Sequence, residues 1–156
     1  MTASKDYLAH ESKFNIPADW HSNFKREWTD EEIQAHIIKE VGFDILRPTK
    51  YFIYGKLYKM DNGDSNFGAT PDEIIKDVLE QSVCKILAYG PDAFKDSERF
   101  PKGQNAFIGQ WYRFDKYEHR KFKVGGEYVV LFPDVAIEAH ICDPYYIDSL
   151  FLTPYI

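Results

Sequence analysis

The chain has 156 residues, 44% of them hydrophobic and 17% aromatic, with a net charge of −6. That length suits one domain with appendages, and the negative charge speaks against nucleic acid as a partner, because phosphate-backbone binding relies on clustered Lys and Arg. Two cysteines without a CxxC pair give no disulfide framework and fit a reducing compartment; with no signal-peptide core and no run of about 18 apolar residues, a soluble protein outside the membrane is expected.

Residues 1–28 alternate polar and aromatic residues without a period and carry Trp20, Phe24 and Trp28. Three large aromatics are more than a free polar tail needs, so this segment reads as an arm that packs on the domain or on a neighbouring subunit. Thr29 then opens a helix within residues 29–43. Thr29-x-x-Glu32 has capping-box spacing, Trp28 and Ile33 take the positions of a hydrophobic staple, and Gly42 stands where the helix should end. Ile33, Ile37, Ile38 and Val41 are expected to form its apolar face.

From Ile45 to Lys59 the β-branched and aromatic bias predicts a strand, with Tyr51, Ile53 and Leu57 on one face and Phe52, Tyr54 and Tyr58 on the other. A turn-rich loop follows from Met60. Thr70-Pro71-Asp72-Glu73 repeats the helix-start grammar ahead of Ile74, Ile75, Val78 and Leu79, so a second short helix is expected over residues 71–81, inside an insertion spanning 60–82. Further strands are expected at Val83–Tyr89, before the Gly90-Pro91 turn, and at Ile108–Phe114. Residues 122–132 read as a hairpin in which Gly125-Gly126 supplies the two positive-φ positions of a primed turn. The tail, residues 145–156, is apolar and aromatic with no charge after Asp148, a composition suited to docking rather than to free solvent.

No pattern calls for catalysis. The five histidines fall at positions 10, 21, 36, 119 and 140, never at HxxxH or HExxH spacing. Asp30, Glu31 and Glu32 cluster where a helix N-terminus favours carboxylates. Asp61, Asn62 and Asp64 lack the spacing and the distal Glu of a calcium loop, and Cys84 has no evident base. Lys116–Lys123 is a basic strand end with aromatics interleaved, read as a solvated hairpin face or a contact for an acidic protein. The expectation is therefore a non-enzymatic protein without metal or cofactor.

Four segments in order resemble the GroES-like co-chaperonins, in particular the divergent versions carried by bacteriophages: Ile45-Leu46-Arg47-Pro48, the stretch Ile86–Asp96 reading ILAYGPDAFKD, Ile108–Phe114, and Val135-Ala136-Ile137-Glu138-Ala139. The similarity covers about residues 44–144. It implies a small, partly open GroES-like β-barrel, mainly β, to which this chain adds two helices, the arm and the tail. It also implies a mobile loop that binds a chaperonin rim through an apolar triplet. Here that place holds Asn66-Phe67-Gly68-Ala69-Thr70, with Phe67 its one large apolar residue and Ile74-Ile75 following at helical spacing. The missing triplet favours a phage structural or assembly protein, a homo-oligomeric capsid-associated or decoration subunit of the virion assembled in the host cytoplasm, with a capsid or other virion protein as partner. The alternative is a working co-chaperonin whose partner is the host chaperonin ring. The residues expected to hold partners are Trp20, Trp28, Phe67, Ile74, Ile75, Phe151, Leu152 and Tyr155.

Overall fold

A computed structural model describes residues 26–59, 82–115 and 119–144. The segments expected to form the N-terminal part of the arm, the second helix over 71–81 and the tail over 145–156 lie outside these residues. Helix α1, Asp30–Val41, begins at Thr29, whose hydroxyl accepts from the Glu32 amide while the Glu32 carboxylate accepts from the Thr29 amide. Gly42 closes it in the left-handed region, donating its N–H to the Ile38 carbonyl. Both ends are thus fixed by local chemistry that the sequence spells out.

Six antiparallel strands follow: β1 Phe52–Leu57, β2 Val83–Tyr89, β3 Trp111–Phe114, β4 Arg120–Val124, β5 Glu127–Pro133 and β6 Ile137–Ile141. They form one sheet in the order β4-β5-β1-β2-β3-β6. The Gly125-Gly126 hairpin is as expected, with both residues at positive φ and Val124 opposite Glu127. Two expected strands are shorter than the composition suggested. β1 starts at Phe52 because Pro48 offers no N–H and Lys50 sits at a positive φ of 53°, closing a turn in which the Phe52 amide reaches the Thr49 carbonyl. β3 starts at Trp111 because Gly109, at φ 89°, turns the chain.

The sheet is strongly rolled. A three-residue 3₁₀ turn, Asp134–Ala136, joins β5 to β6, although these strands hold the second and sixth places in the sheet. A flat sheet would separate them by four strand spacings, about 19 Å, whereas the four Cα steps from Pro133 to Ile137 reach about 14 Å at full extension. Curling is therefore obligatory, and it shows inside: the rings of Phe114 on β3 and Phe132 on β5 stack at 4.7 Å with two strands between them in the sheet. Around this pair lies the inner core of Ile53, Leu57, Cys84, Ile86 and Tyr112. Part of the outer face is covered by α1, where Ile37 and Val41 pack on Tyr54, Leu87, Val124 and Val129. Leu87 is the extra residue of a β-bulge, since Tyr54 pairs with Ala88 and Gly55 with Ile86.

One expected helix-face residue is not on that face. Ile38 is 47% exposed. The buried row is Ile33, Ile37 and Val41, spaced four apart, and Ile38 stands about 100° round the helix from Ile37.

Candidate functional site

Several described titratable groups are engaged in holding the sheet and its connections together. Asp134 is buried, and its carboxylate accepts the Phe94 amide at 2.8 Å while its own amide donates to the Tyr51 carbonyl. Phe94 has a positive φ of 61°, so Asp134 satisfies a backbone donor in an uncommon conformation. Tyr89 donates to the Ala106 carbonyl and Tyr112 accepts the Phe107 amide; burial pushes both phenols, and the Cys84 thiol, far above their ordinary range. A thiol so placed is not a nucleophile. Among the described residues no group of three or more His, Cys, Asp or Glu could hold a metal.

A second charged group clips α1 to the sheet. Glu40 meets Lys85 at 2.8 Å and Lys56 at 3.8 Å. Burial alone would raise the Glu40 carboxyl, but the Lys85 hydrogen bond and the two ammonium charges outweigh it and hold the group below its usual value. One turn earlier, His36 faces the Ile86 carbonyl at 3.4 Å and the Trp28 ring at 5.3 Å, with the Arg26 guanidinium on the same indole at 3.7 Å from the ring centre. Desolvation lowers the His36 pKa, against the opposing pull of the Ile86 carbonyl and Glu40.

Of the residues expected to bind partners, Trp28 alone is described; Trp20, Phe67, Ile74, Ile75, Phe151, Leu152 and Tyr155 lie outside the described residues. Trp28 is half-buried and packs against the inner core of its own domain. Trp28, the last residue of the segment read as an arm, is thus packed on its own domain.

The outer face of the sheet carries a cleft that no sequence motif announced. It has a volume of about 650 Å³. Its floor is Phe52, Leu131 and Pro133, because Phe52 pairs with Pro133 across β1 and β5. Arg120 stands opposite Leu131 on β4, and the segment Leu46–Tyr51 forms the other wall. Arg47 is paired with Asp44, whereas Arg120 is exposed and makes no ion pair with a described residue. His119 donates its Nδ1–H to the Asp115 carbonyl at 3.2 Å and meets the Phe114 ring edge-on; burial lowers its pKa, so near neutrality it is an uncharged polar group. The sequence signals were the Arg47-Pro48 pair and the basic strand end at 116–123, but only the fold brings them together.

Beside the cleft the surface is unusually apolar. Of five large hydrophobic residues left exposed among those described, four fall between positions 38 and 51: Ile38, Phe43 at 55%, Ile45 at 73% and Tyr51 at 45%. Phe43 also lies over the hairpin turn, where a Cβ added to Gly125 would come within 2.5 Å of its ring. No protein-family model matches the chain, and no curated protein does.

Proposed function

We propose that this protein is a non-enzymatic assembly subunit: a rolled β-domain that docks onto a protein partner through the surface around residues 43–51, as a capsid-associated or decoration component of a bacteriophage particle. The observation that carries the reading is the exposed run Phe43, Ile45 and Tyr51 on one connected segment. Apolar side chains concentrated in this way mark an interaction surface more often than a monomer's free exterior. The chemistry of the described polar residues supports it too, since Asp134, Glu40 and the buried tyrosines are engaged in packing and backbone support. The bacteriophage setting, and the co-chaperonin-like ancestry of the barrel, rest on the resemblance of residues 44–144.

The co-chaperonin reading has one observation in its favour. β1 and β2 are neighbours in the sheet but are separated in sequence by residues 58–82, the place where that family carries its chaperonin-binding loop. Two measurements run together separate the readings: quantitative mass spectrometry of purified particles, and retention of the tagged chain on a chaperonin ring with ATP. An assembly subunit is present in particles at fixed stoichiometry and is not retained on the ring. Retention on the ring and absence from particles would reverse the conclusion.

A further inference from the structure

The cleft on the outer face of β4, β5 and β1 combines three properties that the assembly reading alone does not require. It is concave, its lining is mainly apolar, and its polar side chains are Arg47, Thr49, Tyr51, His119 and Arg120, with no carboxylate among the described lining residues. The whole chain is at −6. Among the described lining residues the formal charges are guanidinium groups, and with Arg47 offset by Asp44 the uncompensated one is Arg120, which runs against the net charge of the protein and favours negative charge in what enters.

The floor says what else the occupant carries. Phe52 and Tyr51 stack at 5.0 Å with their planes 18° apart, and Leu131 and Pro133 complete an apolar surface beneath. Aromatic and aliphatic groups are the natural complement to such a floor, since their burial is what drives docking. The chain leading out of the cleft from Leu46 carries two further exposed apolar side chains, Ile45 and Phe43. A small anion would leave those side chains uncovered, whereas a polypeptide segment crossing the cleft would cover them.

We propose that the cleft bounded by Arg47, Tyr51, Arg120 and Leu131 is the receptor for a short segment of a partner protein in which carboxylate side chains flank an aromatic residue. The carboxylates meet Arg120, whose donors are unengaged by described residues, while Arg47, already paired with Asp44, bounds the opposite wall; the aromatic ring sits over Phe52 and Leu131. An Arg–carboxylate contact of this kind is charge-assisted and directional. This deepens the assembly reading by naming the partner's chemistry, and it rests on that reading for the existence of a partner.

The test uses the full chain, ¹⁵N-labelled, titrated with a blocked pentapeptide of sequence Glu-Phe-Asp-Tyr-Glu, with its Gln/Asn analogue, with a Lys analogue and with AMP and inorganic phosphate. Expected are amide shifts confined to residues 47–52, 119–121 and 131–133 for the acidic peptide, and affinity at least about tenfold weaker for the amide analogue. Arg120→Glu should weaken the acidic peptide by a similar factor and gain affinity for the Lys analogue; because Arg120 is exposed and unpaired among the described residues, the variant should keep its fold, checked by its unshifted inner-core amides. Equal affinity for acidic and amide peptides, shifts scattered along the β4–β5 hairpin, or displacement of the peptide by AMP or phosphate at the same residues would overturn the proposal. Peptide binding by a chain absent from particles would sink the assembly reading and leave the cleft standing; stoichiometric incorporation without peptide binding would do the reverse.

Discussion

Gly90 is the position where a single methyl group matters most. A Cβ there would lie 2.2 Å from the Lys50 carbonyl oxygen and 2.6 Å from that of Thr49, both backbone atoms that cannot swing away. The Gly90 amide meanwhile donates to the Phe52 carbonyl at 2.7 Å, tying the end of β2 to the start of β1. Gly90→Ala should therefore cost about 1–3 kcal/mol by forcing the backbone apart, read as a lowered denaturant midpoint at unchanged m-value. Tyr54 offers the opposite case. Its hydroxyl is buried with no hydrogen-bond partner among the described residues, and burial raises its pKa. Replacing it by Phe removes an unsatisfied polar atom while keeping the ring packed against Ile37 and Leu87. Tyr54→Phe is expected to leave stability unchanged or to raise it by about 1 kcal/mol; a loss of that size would show that the hydroxyl has a partner. Asp134→Ala, by stranding the Phe94 amide in the interior, should cost about 1–3 kcal/mol in the same assay.

At the scale of elements, the attachment of α1 to the sheet is sensitive to pH. Two groups act in different windows. His36 has a folded pKa below the ordinary 6.5, so the unfolded chain takes up the proton first as pH falls and stability declines from about pH 6.5 downward. Glu40, held below 4.5 by Lys85 and Lys56 against its own burial, adds stability that is present above that value and is lost as pH falls through its folded pKa. Thermal denaturation between pH 8 and 3 should show both declines; His36→Gln should flatten the upper one, to which the likewise lowered His119 also contributes, and leave the acidic one. The helix was legible from the sequence because its ends are coded locally, by Thr29, Glu32 and Gly42. Ile38 was misplaced because a cluster of Ile residues does not by itself say where the buried stripe is centred; the spacing of Ile33, Ile37 and Val41 does. Strand limits at Phe52 and Trp111 were missed for a related reason. β-propensity runs through Ile45–Tyr51, but Pro48 and the left-handed Lys50 are what stop the ladder.

For the molecule as a whole, the rolled sheet follows from one short connection, Asp134–Ala136, joining strands from far-apart places in the sheet. That topology was not legible in the sequence, since no local signal tells β6 to pair with β3. The cleft was illegible for the same reason: Arg47, Tyr51, Arg120 and Leu131 come from three separate stretches that only strand pairing aligns. The fold sets an exposed apolar segment next to a cleft that carries Arg120, unpaired among the described residues. The most direct test is the copy number of the chain in purified particles, measured by quantitative mass spectrometry for the native protein and for an Ile45→Ser, Tyr51→Ser variant. The account predicts a fixed stoichiometry for the native chain and near-complete loss of incorporation for the variant, with an unchanged circular-dichroism spectrum; a variant incorporated as fully as the native chain would contradict it.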